Sequence, residues 1–256
     1  KSHLVSGALT LVGLLLAILH PPFFEIVERK LYDIHFALRG SIPTTGRVIL
    51  VTVDEKSLQT IGRWPWPRDT MANLFEVIAS QGATLILPDI FFAEPTGGPS
   101  GPWIDQALAD TLYRYSNIFM GHFFLLTPEE VQESALTEER LEENFRNVSP
   151  SALSSPWVDR KSLPRIRQAV GIQDTLALFS NLPGGKRHGF FNFVPDPDGT
   201  IRSQPLLIAF REKFFPSLTL QAALSLLGAS DPGFIQEIPT DSKGDLLVNY
   251  RGLGPL

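Results

Sequence analysis

The chain has 256 residues, 43% of them hydrophobic and 19% charged, which is apolar mass enough for one large core or two small ones. The formal net charge is −5 with no basic stripe, so the electrostatic footprint of a nucleic-acid binder is missing and no nucleic-acid partner is expected. There is no cysteine, which excludes disulfides, thiolate metal sites and cysteine nucleophiles together.

Residues Leu4 to Leu19 read LVSGALTLVGLLLAIL, an apolar run without charge. It falls somewhat short of the roughly 20 residues that cross a bilayer. No small-residue cleavage site follows; His20-Pro21-Pro22-Phe23-Phe24 follows instead and suits an interfacial stop. The reading is an uncleaved transmembrane signal anchor over residues 1–22. The chain opens on Lys1, so this anchor is expected to be N-terminally incomplete. A cleaved signal peptide and a buried helix are the alternatives.

Residues 23–40 read as a juxtamembrane linking helix. Val27, Leu31, Ile34 and Leu38 fall on one face, Glu25 and Glu28 sit where the helix dipole favours acids, and Gly40 suits a stop. Arg47 to Val53 is a β-branched run that reads as a buried parallel strand. Asp69 to Ser80 predicts an amphipathic helix with Asp69 as its cap, Met71, Leu74, Phe75 and Ile78 inward, and Gly82 at its end. Ala83 to Pro88 predicts a second buried strand, so the three segments make a βαβ unit.

Trp103 to Arg114 then reads as a helix and Asn117 to Leu126 as a strand. Residues 128–168, rich in Glu, Ser and Pro, read as an acidic surface excursion with a helix near Pro128 to Phe145. Ala169 to Ser180 reads as a connection and short helix. Gly189 to Val194 and Ile201 to Phe210 predict an antiparallel hairpin around the turn Pro195-Asp-Pro-Asp-Gly-Thr200. Phe215 to Leu227 predicts a helix closed by Gly228, and Leu246 to Tyr250 a last strand. The fold class is α/β: a mixed sheet with an N-terminal βαβ half flanked by helices and a C-terminal antiparallel hairpin, preceded by one transmembrane helix.

Two carboxylates follow predicted strands directly, Asp54 and Asp89. Open α/β sheets bind ligands at such carboxyl ends, where two acids hold a divalent cation or one serves as a base. Glu94 lies near enough in sequence to join them. The plainer alternative is that these acids cap helices or accept loop amides. In Ile61-Gly-Arg-Trp-Pro-Trp-Pro-Arg-Asp69, two prolines stiffen a loop that carries Trp64 and Trp66 between Arg63 and Arg68. It reads either as a recognition loop on the rim of the Asp54/Asp89 mouth, or as tryptophans plugging the core with Arg68 paired to Asp54 or Asp89.

Signatures of nucleotide loops, zinc proteases and serine hydrolases are missing, and no cofactor is expected. The five histidines show no ligand spacing, and His122, inside an apolar strand, reads as a hydrogen-bonded core residue. Asp196-Pro-Asp198-Gly199 resembles half a calcium loop but lacks the later acids and reads as a turn.

Several segments in order carry a family resemblance: Leu38-Arg-Gly40, Asp54-Glu-Lys-Ser-Leu58, Gly62-Arg-Trp-Pro-Trp-Pro-Arg68 and Asp89-Ile-Phe-Phe-Ala-Glu-Pro95. Gly189-Phe-Phe-Asn192, Asp196-Pro-Asp-Gly-Thr-Ile-Arg202, Phe215-Pro-Ser-Leu218 and Val248-Asn-Tyr-Arg-Gly252 follow. Together they resemble the type-two CHASE domain, the extracytoplasmic sensory domain of bacterial adenylate and guanylate cyclases and histidine kinases. The resemblance runs from Tyr32 to Gly252 and makes residues 41–252 the sensor domain. Two features depart from the pattern: Pro88 before Asp89, and the acidic excursion, which looks like a local insertion. The resemblance implies one membrane helix before the domain, more after it, and a cytoplasmic cyclase or kinase beyond this segment. This segment would then be non-catalytic, embedded in the bacterial inner membrane by its anchor, with the sensor on the periplasmic side. It would work as a homodimer through Val27 to Leu38.

The expected ligand is a small molecule or ion held by Asp54, Arg63, Trp64, Trp66, Arg68, Asp89 and Glu94. Two other readings stay open: an anchored metal-dependent hydrolase using the strand-end acids, and a non-catalytic envelope interaction module.

Overall fold

A computed structural model describes residues 22–153, 166–180, 182, 187–228, 237–241 and 243–252, with 5–7, 10 and 13 near the start. The segment read as the anchor lies almost wholly outside these residues. Among those described, no helix is long and apolar enough to cross a membrane.

The chain divides into two compact units, Lys1–Thr52 with Asn249–Leu256, and Val53–Val248. The first contains helix α1 (Pro22–Arg39), which ends where Gly40 takes a positive φ of 70°. Residues 249–252 return against it. Arg39 donates to Asn249 Oδ1 at 2.6 Å and to the Tyr250 carbonyl, and stacks over Phe36, which packs edge-on against Tyr250. The Ile42 amide donates to the Arg251 carbonyl at 2.7 Å, and Arg251 donates to the Pro43 carbonyl at 3.0 Å. Gly252 is needed here: a Cβ would fall 2.4 Å from Ser41 Oγ, at a φ of 109°.

The run Val48 to Val53 corrects the sequence reading. It is not a buried strand; Val48, Ile49 and Leu50 are more than four-fifths exposed. Among the described residues no backbone group of another segment pairs with it. β-Branched residues favour a strand only where a neighbouring ladder accepts them, and here none does.

The second unit opens with α2 (Glu55–Ile61) and α3 (Arg68–Ser80). Of the predicted inward set on α3, Met71 and Phe75 are buried and Leu74 and Ile78 half-buried against the same core, with Ala72 buried beside them. Asp69 does not cap it; the N-cap is Pro67 and carries no side-chain bond. Helix α4 (Gly101–Arg114) packs on α3 and buries Leu108 and Leu112. The predicted strand at 83–88 reduces to one parallel bridge, Ile86 to Ile118, which still brackets α4 in a crossover.

Strand β1 (Met120–Leu125) is the middle of a three-stranded sheet. After it come α5 (Pro128–Glu133), α6 (Glu138–Val148), β2 (Arg167–Gln168), β3 (Gly171–Gln173), α7 (Ala177–Ser180) and β4 (His188–Phe190). β3 flanks β1 antiparallel and β4 flanks it parallel. The described first part of the acidic stretch, residues 128–153, carries the helices α5 and α6, and α6 turns Leu141, Asn144 and Val148 inward.

The final segments are β5 (Ser203–Pro205), β6 (Leu207–Phe210), β7 (Lys213–Pro216), α8 (Leu218–Leu227) and β8 (Asp245–Leu247). The predicted hairpin is displaced. Pro195 to Thr200 does turn, with the Asp196 amide donating to the Thr200 carbonyl at 2.9 Å. Its flanks do not pair with each other: β4 joins β1, and β5 joins β8. The true hairpin is β6–β7, turning on Arg211 and Glu212, both at positive φ. Two charged residues carry no turn signature, since Asn and Gly usually fill that geometry.

Helix α8 is capped at both ends. Ser217 accepts from the Leu220 amide, and Gly228 takes the left-handed conformation. Its start rests on β4, where a Cβ on Gly189 would lie 2.5 Å from Leu218 Cα. Gly189→Ala should therefore cost at least the ~1–3 kcal/mol of an overpacked core. Gly97→Ala, with nothing within 4 Å, should be near neutral. Urea unfolding of both variants checks this, and a neutral Gly189→Ala would mean that α8 is not seated on β4.

Candidate functional site

Asp54 is the N-cap of α2. Its Oδ1 accepts from the Ser57 amide at 2.8 Å and the Ser57 hydroxyl at 2.6 Å, which hold the carboxyl below its ordinary pKa. Asp89, Glu94 and Arg63 have exposed side chains. Trp64 is 42% exposed, while Trp66 is buried and donates through Nε1 to the Gly62 carbonyl at 2.9 Å. The two indoles meet edge-on at 5.7 Å.

Arg68 is the most engaged of the predicted residues. The sequence reading pairs it with Asp54 or Asp89; its partner is Asp105 of α4. Arg68 also donates to Thr96 Oγ1 at 3.1 Å and to the Glu94 carbonyl, and lies over the Phe92 and Phe179 rings. Asp105 accepts from the Thr96 amide at 3.0 Å and from its hydroxyl. Burial works against the Asp105 charge, yet the Thr96 and Arg68 bonds outweigh it and keep the pKa lowered. This knot fastens the 89–98 loop to α3 and α4. It joins Arg68 to Glu94 through backbone, leaving the Glu94 carboxylate to solvent. A concavity of about 420 Å³ lies between α4 and α7, lined by Gln106, Ala109, Tyr113 and Leu178 among others, and none of the seven predicted residues lines it.

Sequence reasoning missed a second cluster. His122, Asp174 and His188 are buried, and each offers a ligand atom within 4.8 Å of the others. Strand register brings them together. β4 pairs parallel with β1 so that His188 faces Met120 and Phe190 faces His122. β3 pairs antiparallel with Gln173 opposite Phe123, and one further residue along that register sets Asp174 opposite His122. All three therefore share one face of the sheet. The histidines are 66 positions apart, so no sequence spacing announces them.

His122 is not hydrogen-bonded as expected: neither ring nitrogen has a partner among the described residues. It stacks edge-on with Phe124 at 5.1 Å. His188 Nε2 lies 3.0 Å from the Ser180 carbonyl, so it carries the proton, and Nδ1 is left unpartnered. Asp174 Oδ2 accepts from the Ser180 hydroxyl, and Oδ1 is unpartnered. Burial pushes His122 well below its ordinary value, with His188 adding to the effect, and pushes His188 down to about 4. Burial raises Asp174 to about 7 against the Ser180 hydroxyl and the Thr175 backbone amide, with Arg140 and Glu143 as minor opposed influences.

The model of the CHASE2 domain matches residues 9–255. The chain belongs to the CHASE2 family. CHASE2 domains are extracytoplasmic sensory modules of membrane receptors. No curated protein and no solved structure matches.

Two outcomes follow for this CHASE2 chain. Asp105→Ala strands the Arg68 charge and should cost about 3 kcal/mol in urea unfolding. Arg68→Lys should recover little, because an ammonium cannot make the forked contacts. A near-neutral Asp105→Ala would show that the pair does not fasten the loop.

The second concerns pH. In chelator-treated protein the two buried histidines bind no proton in the fold but do in the unfolded chain below about 6.5. Each makes stability fall as pH drops below about 6.5, His188 until about 4. Asp174 acts oppositely between about 4 and 7 and offsets one of them. The net expectation is a lower unfolding midpoint at pH 5 than at pH 6.5, with a steeper loss in Asp174→Asn. A flat profile in both proteins would contradict the buried neutral histidines.

Proposed function

We propose that this chain is the periplasmic sensory domain of a bacterial transmembrane receptor, anchored in the inner membrane by the helix over residues 1–22. It passes a small-molecule, ion or envelope signal to a cytoplasmic nucleotide cyclase or kinase. The family match over residues 9–255 carries this reading. The clasp between α1 and residues 249–252 supports it, because it ties the segment leading from the anchor to the segment leaving the sensor. A shift in that clasp is a physical event that two membrane segments would share.

Among the predicted ligand residues, Arg63, Trp64, Asp89 and Glu94 keep side chains available to a ligand. Asp54, Trp66 and Arg68 shape the loops that present them. The capping of α2 by Asp54 weighs against its service as a hydrolase metal ligand.

Leu31, Ile34 and Leu38 form an exposed apolar stripe on α1, which suits self-association of two receptors. Because the chain has no cysteine, single-cysteine variants report cleanly. Tyr113→Cys, at a well-exposed position on α4, should react with a membrane-impermeant maleimide in intact spheroplasts. Leu31→Cys, Ile34→Cys and Leu38→Cys should form disulfide-linked dimers. Labelling of Tyr113→Cys only after lysis would overturn the periplasmic placement, and no cross-link at any α1 position would overturn the dimer.

A further inference from the structure

We propose that His122, Asp174 and His188 form a closed binding site for one divalent first-row transition cation, with Zn2+ as the ion that fits best. Unsatisfied buried polar atoms each cost free energy, and native folds keep few of them. Here His122 Nδ1 and Nε2, Asp174 Oδ1 and His188 Nδ1 are all buried and all lack a partner among the described residues. They belong to the three side chains whose ligand atoms gather within 4.8 Å. One divalent first-row transition cation satisfies an atom of each at once; two imidazoles with a carboxylate suit Zn2+ and also Fe2+, whose sites of this kind keep several positions open to substrate.

For His188 and Asp174 the surrounding bonds match what metal ligands require. A ligating histidine uses its second nitrogen as a donor to a carbonyl or carboxylate, which fixes tautomer and ring orientation. His188 does this with the Ser180 carbonyl, leaving the Nδ1 lone pair toward the cluster. Ser180 then engages Asp174 through its hydroxyl, leaving Oδ1 for the ion. One residue of α7 thus orients two of the three ligands. The third, His122, is held by rings: Phe124 at 5.1 Å and Phe215 at 6.3 Å.

Charge and access narrow the ion and its role. A single carboxylate leaves a divalent cation only partly neutralised, which two neutral imidazoles tolerate. Mg2+ and Ca2+ prefer oxygen shells and fit poorly. The ligands are 0%, 2% and 1% exposed, so the site presents no face to a substrate. The three side chains leave one position of a four-coordinate ion, which a water fills inside the closed site, and the ion would lock β3, β1 and β4 together. The site shares no residue with the seven predicted ligand positions, so it stands or falls apart from the sensory reading.

The test uses the full chain in detergent, stripped with a chelator and dialysed against Zn2+ or Co2+. One equivalent of Zn2+ should remain bound and should raise the thermal midpoint as its free concentration rises. X-ray absorption at the zinc edge should show two imidazoles. Co2+ should give the intense visible bands of a four-coordinate nitrogen–oxygen site. His122→Phe should lose the bound equivalent and the bands while staying folded, since a ring there joins an existing aromatic cluster. Absence of stoichiometric Zn2+ in folded wild-type protein overturns the proposal. So does zinc retained by His122→Phe, or an absorption spectrum without imidazole. The wild-type spectra decide the matter even where a variant fails to fold.

Discussion

Strand β1 has hydrogen-bonded neighbours on both sides, parallel on one and antiparallel on the other, and the rest of the second unit depends on that placement. Its alternation is unforgiving: Met120, His122 and Phe124 share a face. Met120 belongs to the cluster formed with α3 and α4, and Phe124 to the cluster formed with β4, β6 and β7. Both are fully buried, so the imidazole between them is buried as well. A one-residue slip that freed His122 would expose Met120 and Phe124. The opposite face is equally committed, because Gly121 leaves room for the Phe191 ring, which would lie 1.5 Å from any Cβ. The polar cluster is thus a consequence of the register that makes the core.

Strands here are short, and arginines do much of the fastening that longer ladders would do. Arg68 ties a loop to two helices through Asp105 and Thr96. Arg187 donates to the Leu112 and Tyr115 carbonyls at 3.0 Å each and closes the end of α4. Arg202, nearly buried, holds both Asp196 and Asp198 and shapes their turn. Arg167 forks onto the buried Asp245 and joins the region of β2 to β8. A planar, always charged group with several donors suits these tasks better than lysine. The Arg39 clasp repeats the device in the first unit, where the sensory reading needs two chain segments to move as one.

Much of this was legible in the sequence. Helices α1, α3, α4 and α8 form where the sequence places them; α3 turns inward the stripe that its own residues define, while that of α1 stays exposed. The ordered motifs from Asp54 to Gly252 carried the family. Single motifs also showed their local purpose: Asp54 precedes Ser57 by the spacing of a cap, and Asp196 to Arg202 folds as a turn, as its residues say. Trp64 and Trp66 divided between the two readings offered for them, one half-exposed and one in the core.

What the sequence determined by itself was local: which segments are helical, the turn at Asp196 to Thr200, which family the chain joins, and that no thiol chemistry is possible. Tertiary structure alone decided whether an extended segment gains a partner. Arg47 to Val53 has the composition of a strand and no ladder partner among the described residues, while Arg211-Glu212 lacks turn chemistry and makes the hairpin. It alone chose Asp105 for Arg68 across 37 positions, and gathered His122, Asp174 and His188 onto one sheet face. The reason is physical: helix periodicity and capping act within a few residues. Strand pairing and buried charge are settled by partners far along the chain, whose identity no local pattern encodes.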